Sequence, residues 1–259
     1  MDNKIKTMWA QGQHVVGVWL SLPDSLTAEM VGQAGFDYAC IDTQHGVVDY
    51  QVAVTMLQAL DLGSSTPLVR VPWNEPGIIA KMLDAGAQGI IIPMVNSPQE
   101  AMAAVSACRY PPEGARSFGP LRVGLRNPGY GPPDANDAIA VIPMIETVAA
   151  LDALDEILAV PGIDAVYVGP ADLSISLGLS PKNNDGEKLF DDALERIVEC
   201  CNNAGIIAGI HSAPDLVERR LEQGFSMVTA TGDSNVLKTG LSDVAMRLVG
   251  GRDLSGEIY

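Results

Sequence analysis

The chain has 259 residues, 47% of them hydrophobic, with 32 acidic and 16 basic side chains and a formal charge of −16. That length and composition suit one large α/β domain, although length alone would also admit two. The acidic balance argues against nucleic acid or an anionic membrane as partner; a few arginines in one cleft could still hold an anionic small substrate.

Taken in order, Gln13 to Leu20 reads as a first strand and Ser25 to Ala34 as a helix that Gly35 stops. Tyr38 to Ile41 is a second strand, Asp49 to Leu60 a helix, and Pro67 to Arg70 a third strand. Pro76 to Ala85 is a helix with proline at its start and Gly86 at its stop. Gly89 to Pro93 is a strand and Ser97 to Cys108 a helix, followed by a long irregular stretch, Tyr110 to Pro133. Then come a strand at Ala140 to Ile145, a helix at Thr147 to Leu158 and a strand at Ala165 to Val168. A polar insertion precedes a helix at Glu187 to Asn203. Ile206 to Ile210 and Met227 to Thr229 are the last strands, with helices at Pro214 to Gln223 and Asn235 to Leu248.

The strands are short and apolar without alternation, as parallel strands covered on both faces should be. The joints AGFDYACID, AGAQGIIIP, PGIDAVYVG and QGFSMVTAT repeat one design: a glycine near a helix end, a short link, a buried strand. Eight strand–helix units argue for a (β/α)8 TIM barrel in a single domain, residues 1–259. A doubly wound sheet is the alternative, but it would need a linker that the sequence lacks. The start, MDNKIKTMWAQGQ, has no apolar signal core, and no apolar run reaches the ~18 residues that span a bilayer. Cys40, Cys108, Cys200 and Cys201 stand in no zinc-like spacing and read as reduced thiols. A cytoplasmic protein is expected.

In a barrel the site lies at the C-terminal ends of the strands. There the sequence delivers Trp19 and Ser21, Asp42 and His45, Arg70, Glu146, then Gly169, Pro170 and Asp172, then His211, and finally Thr229 and Thr231. Glu146 and Asp172 come from neighbouring strands and suit a hard divalent cation; the bland alternative is two solvated acids at helix starts. Arg70 is either a bidentate clamp on a substrate carboxylate or a structural partner of Asp42 or Glu146. His45 is a general base beside Asp42, a metal ligand, or a satisfied loop histidine. Gly169 lets the main chain approach a ligand closely.

With these residues assembled, the chain resembles the metal-dependent (class II) pyruvate aldolases of the 4-hydroxy-2-oxoheptanedioate aldolase family. The resemblance runs through GVWLSLPDS, GFDYACIDTQHG, LVRVPWNEP, KMLDAGAQGIIIPMVNSPQEA, RYPPEGARSFGP, PMIET and YVGPADLSISLG, nearly the whole chain. It implies an aldehyde-lyase that makes or breaks 4-hydroxy-2-oxo acids from pyruvate and an aldehyde through a metal-stabilised enolate. It implies a divalent magnesium, manganese or cobalt ion and no organic cofactor. Glu146 and Asp172 match the metal ligands, Arg70 the carboxylate anchor, and His45 with Asp42 the acid–base dyad. Trp19 matches a pocket wall, and Gly169, Pro170 and Ala171 the oxyanion contacts. A homohexamer, a dimer of trimers with the last helix (about 235–249) packed on a neighbour, is also implied. A citrate lyase β-like or malyl-thioester lyase, sharing the fold and the metal carboxylates but acting on thioesters, is the runner-up, and a silent anion-binding barrel is the non-enzyme alternative.

Two positions depart from the family pattern. Met144 stands where many members carry glutamine, and His211 where an aromatic or small residue is expected; His211 either tunes acceptor choice or hydrogen-bonds in the rim. The Tyr110 to Pro133 excursion joins a helix to a strand, so it belongs on the rim opposite its own site. The expectation is that its Arg116 and Arg122, with Asp84, reach a neighbouring subunit's site; the alternative is a plain packing loop.

Overall fold

The computed structural model describes residues 2–249. Eight parallel strands form one sheet: β1 (Val15–Leu20), β2 (Tyr38–Asp42), β3 (Thr66–Arg70), β4 (Gly89–Ile92), β5 (Ala140–Pro143), β6 (Ala165–Val168), β7 (Ile207–His211) and β8 (Met227–Gly232). They follow the order β5-β4-β3-β2-β1-β8-β7-β6. The open edges meet through a Met144–Tyr167 bridge and the Ile145 N–H donating to Tyr167 O at 2.9 Å, so the sheet nearly closes on itself. This is the (β/α)8 barrel that the eight units predict.

The helices are α1 (Lys4–Ala10), α2 (Ser25–Gln33), α3 (Tyr50–Leu60), α4 (Pro76–Asp84), α5 (Pro98–Cys108), α6 (Leu121–Arg126) and α7 (Pro132–Ala138). They continue with α8 (Val148–Asp152), α9 (Leu154–Leu158), α10 (Pro170–Ser176), α11 (Lys188–Ala204), α12 (Val217–Glu222) and α13 (Asp233–Val249). Side chains at their starts satisfy orphan amides: Asp24 accepts from Thr27, Asp49 from Val52, and Ser97 from Glu100.

Alternation along each strand sorts residues into two cores. Val18, Leu20, Ala39, Ile41, Val69 and Ile90 pack outward against the helices. Tyr38, Cys40, Leu68, Ile91, Ile142, Met144 and Tyr167 fill the barrel interior. Inside, the Tyr38 hydroxyl meets Thr229 Oγ1 at 2.8 Å, and the Tyr167 hydroxyl meets the same oxygen at 2.5 Å. Gly17 makes room for this: a Cβ there would lie 2.3 Å from the Tyr38 ring.

Four expectations need correction. The first strand begins at Val15, after helix α1, which the sequence reading passed over. Ile5, Met8 and Trp9 of α1 join the interior core at the end where the strands begin, and Asn3 donates to Gln88 O and Ala138 O. The stretch from Tyr110 to Pro133 is not wholly irregular, since it contains α6 and the start of α7. The expected helix from Thr147 to Leu158 breaks at Ala153 into α8 and α9. The helix α10, directly after β6, was also unforeseen.

Candidate active site

The same alternation that fills the interior brings Trp19, Asp42, Arg70, Glu146 and His211 to the end where the strands finish. Asp42 and Arg70 are direct neighbours in the β2–β3 register. Arg70 Nε donates to Asp42 Oδ1 at 2.9 Å and Nη2 to Oδ2 at 2.6 Å, a forked pair at the top of the barrel. Asp42 Oδ1 also accepts the backbone N–H groups of Gln44 and His45, at 3.0 and 3.2 Å. Burial would raise the Asp42 carboxyl, but the Arg70 fork and charge, with those two amides, outweigh it and hold it below its ordinary value.

Asp42 therefore organises the backbone of the His45 loop and the Arg70 fork. Its oxygens take the amide of His45, not the imidazole. Among the described residues the His45 ring, on an exposed residue, has no hydrogen-bond partner. Arg70 uses two of its five N–H donors on Asp42 and keeps three.

Glu146 lies two residues beyond Met144, on the same side of its strand, and is only 1% exposed. Its Oε1 accepts the Met94 N–H at 2.8 Å; its Oε2 is buried and, among the described residues, has no hydrogen-bond partner. Met94 adopts φ 55° at this point, a left-handed conformation that non-glycine residues rarely take outside constrained sites. Burial pushes the Glu146 carboxyl up to about 7; the Met94 N–H opposes this, and the Asp172 charge adds to it. Gly169 is required here, because a Cβ would fall 2.4 Å from Glu146 Oε2. Met144 closes in from the same side, its Cε 3.0 Å from that same point.

Asp172 sits in the first turn of α10, with Gly169 as N-cap and Pro170 opening the helix. Pro170 has no N–H. The Ala171 and Asp172 amides precede the first intrahelical bond, from Leu173 N–H to Gly169 O at 3.0 Å. Among the described residues no group of three or more His, Cys, Asp or Glu side chains converges as a metal cage. A cation at Glu146 and Asp172 would thus depend on non-protein ligands to complete its shell. The partnerless, buried Glu146 oxygen beside a second carboxylate fits such an ion.

Trp19 is the shared wall. It stacks on Tyr167 with centroids 5.4 Å apart, carries Arg70 5.2 Å above its ring, and meets His211 edge-on at 5.2 Å. Burial, then the nearby Arg70 charge, pushes His211 down to about 4, so the ring is neutral at physiological pH. No side chain among the described residues hydrogen-bonds its nitrogens.

Asp84, Arg116 and Arg122 gather at the opposite end. Arg116 pairs with Asp84 at 2.6 Å, and Arg122 binds Ala85 O and Asp61. They lie together at the end of the barrel away from Asp42, Arg70, Glu146 and His211 of the same chain. One residue that sequence reasoning missed is Met94. Its left-handed φ has no counterpart in the composition of the turn that leaves β4.

A profile of HpcH/HpaI aldolase/citrate lyase proteins matches residues 15–239. The hydroxypyruvate/pyruvate aldolase of Rhizorhabdus wittichii is 40% identical over 93% of this chain and 97% of its own length. The 4-hydroxy-2-oxo-heptane-1,7-dioate aldolase of Salmonella arizonae is 39% identical over 99% of this chain and 98% of its own. Among solved structures, an HpcH/HpaI aldolase/citrate lyase family protein from Burkholderia cenocepacia J2315 superposes with a TM-score of 0.88 at 30% identity, covering 95% of this chain and 99% of the other.

Proposed function

This chain belongs to the HpcH/HpaI aldolase/citrate lyase family, and on that premise we propose that it cleaves and forms 4-hydroxy-2-oxo acids, joining pyruvate or a close 2-oxo acid to an aldehyde. It is an aldolase, a carbon–carbon lyase. The observation that carries the site assignment is the buried, partnerless Glu146 oxygen beside Asp172 on the rim that Arg70 shares.

Glu146 and Asp172 would hold a divalent ion of the magnesium, manganese or cobalt type, with no organic cofactor. Bound there, such an ion would supply positive charge against the negative charge that develops on a substrate oxygen. The remaining work falls to the chain. Arg70 holds the 2-oxo acid carboxylate with the donors that Asp42 leaves free, and the Asp42 fork keeps the guanidinium plane fixed while it does so. The Ala171 amide adds a donor for a substrate oxygen, and Gly169 and Pro170 shape that wall. Trp19 and His211 line the space beside Arg70. In cleavage, His45 takes the proton of the C4 hydroxyl, directly or through water, as the C3–C4 bond breaks. The bond's electron pair passes to the 2-oxo acid fragment, the aldehyde leaves, and a proton returned to C3 gives the second product. Synthesis runs the same steps backwards. No lysine Schiff base is invoked: Lys81 lies in α4 and Lys238 in α13, outside the strands.

The working form is read as a homo-oligomer, a hexamer built as a dimer of trimers, in the cytoplasm. No helix among the described residues is long and apolar enough to cross a membrane. Two exposed apolar surfaces among the described residues support assembly: Leu237, Leu241 and Leu248 on α13, and Phe118, Leu121 and Leu125 on the excursion, all more than half exposed. In that assembly α13 packs on a neighbour, and the end bearing Asp84, Arg116 and Arg122 approaches a neighbour's mouth.

The test is pyruvate-dependent consumption of a small aldehyde by purified protein, before and after exhaustive chelation. The reading expects consumption that stops with the chelator and returns with added Mn2+. Full turnover after metal removal would overturn it.

A further inference from the structure

We propose that Asp233 is a positioning residue for the proton-transfer loop, setting the place of His45 from the far side of the barrel seam. The inference rests on the reading of His45 as the group that moves the aldol proton.

Asp233 opens α13 directly after β8 and is 6% exposed. Its carboxylate is occupied by three backbone amides: Ser21 at 3.0 Å and Ser234 at 2.6 Å on Oδ1, and Leu22 at 3.0 Å on Oδ2. Ser21 and Leu22 form the turn that leaves β1. This fork therefore ties the last strand's exit to the first strand's exit.

Ser21 passes the constraint on. Its carbonyl accepts the Val47 N–H at 2.9 Å, which fixes the far end of the loop that carries His45. The near end is fixed by Thr43, whose N–H and Oγ1 both donate to Arg70 O, at 3.0 and 2.7 Å. Between the anchors there is no slack: a Cβ on Gly46 would lie 2.2 Å from Asp42 O and 3.1 Å from Ser21 Cα. The imidazole of His45 has no hydrogen-bond partner among the described residues, so its backbone anchors alone decide where it sits. Asp42 Oδ1 holds the His45 N–H itself at 3.2 Å; of the anchors at the loop's two ends, one is the Arg70 strand and the other leads, through Ser21, to Asp233.

The chemistry of the fork needs an aspartate. Asparagine offers one acceptor and turns an NH2 group towards an amide donor, so it loses one arm of the fork and repels the other partner. The Ser21 turn then loosens, and the loop loosens with it. Misplacement of a proton-transfer group by a fraction of an ångström to 1 Å costs about 10- to 100-fold in rate.

The experiment is a double-mutant cycle on the full chain loaded with Mn2+, using the 4-hydroxy-2-oxo acid that the wild type cleaves fastest. Asp233→Asn is expected to lower kcat about 10-fold or more while KM stays within about twofold, because Arg70 and the metal carboxylates are untouched. In the His45→Ala background the same substitution should cost nothing further in kcat, since the group that it positions is gone. Equal losses in both backgrounds, or an unchanged kcat, would overturn the proposal. If the asparagine variant does not fold, Val47→Pro carries the test, as it removes the N–H that Ser21 accepts at an exposed side chain. Its kcat loss should likewise vanish in the His45→Ala background, and additive losses overturn the coupling. His45→Ala alone separates the two ideas: wild-type kcat in that variant sinks the reading of His45, whereas a slow His45→Ala with additive Asp233→Asn sinks only the positioning role.

Discussion

The two ends of the barrel treat charge in opposite ways. Where the strands begin, arginines are neutralised. Arg109 donates to Ile139 O at 2.7 Å and pairs with Asp164 at 3.1 Å, while Arg122 and Arg126 both pair with Asp61. Arg116 pairs with Asp84 and lays its face on Tyr110, 4.4 Å from the ring centroid, although its Nε and Nη1 find no hydrogen-bond partner among the described residues. Where the strands end, the pattern changes. Among the described residues, Glu146 keeps a buried oxygen unpartnered, Met94 is bent to φ 55° to serve the other oxygen, and the exposed His45 ring has no hydrogen-bond partner. Unsatisfied buried atoms occur at both ends, Arg116 included; what sets Glu146 apart is that its free oxygen feels the charge of a second carboxylate, Asp172, and that combination marks the working end.

The strongest way to break this comparison is Glu146→Gln. The amide keeps the side chain's shape and removes its charge. Aldol cleavage should fall about 10³-fold, the scale of losing a group that stabilises developing charge. A variant with near-normal turnover would mean that the unsatisfied oxygen is not part of the chemistry.

Arg70→Ala comes next and joins both behaviours in one residue, because Arg70 is paired like the arginines of the other end. Its removal leaves Asp42, 2% exposed, with backbone amides only. Stability in urea should drop by about 3–5 kcal/mol, as for other broken buried pairs, and KM for pyruvate should rise sharply. A stability loss with unchanged KM would make the pair purely structural.

The smallest expected effect concerns His211. Its ordinary value of 6.5 is depressed to about 4 in the fold. Between those values the unfolded chain holds a proton that the folded chain does not, so acid favours unfolding. The penalty is absent above about 6.5 and grows as pH falls towards 4. Replacing His211 with leucine removes it, so the variant's Tm should fall less than the wild type's between pH 6.5 and pH 4.5. Parallel curves would show that the ring titrates alike in both states.

Much of this contrast was legible in the residues themselves. Glycine-stopped helices and short apolar strands carried the barrel, and counting units carried Asp42, Arg70, Glu146, Asp172 and His211 to one end. What could not be read was register. Only the alignment of β2 with β3 sets Asp42 opposite Arg70, so a clamp and a structural pair looked like alternatives when the residue does pair with Asp42 and still keeps free donors. The φ of Met94 left no compositional trace. Helix α1 did have a signal, Ile5 with Met8 and Trp9 at helical spacing before Gly12, but its few apolar residues sat in a polar terminus. In the excursion, α6 and α7 are flanked by glycines and prolines that read as loop. Asp233 was hidden because its partners, Ser21 and Leu22, lie at the other end of the chain.

We propose that Glu146 and Asp172 hold a divalent cation. Calorimetric titration of metal-free protein with Mn2+ tests it most directly, with Glu146→Gln as the control. The account predicts saturable binding by the wild type at one site per chain and none by the variant. Equal binding by both, or none by either, would contradict it.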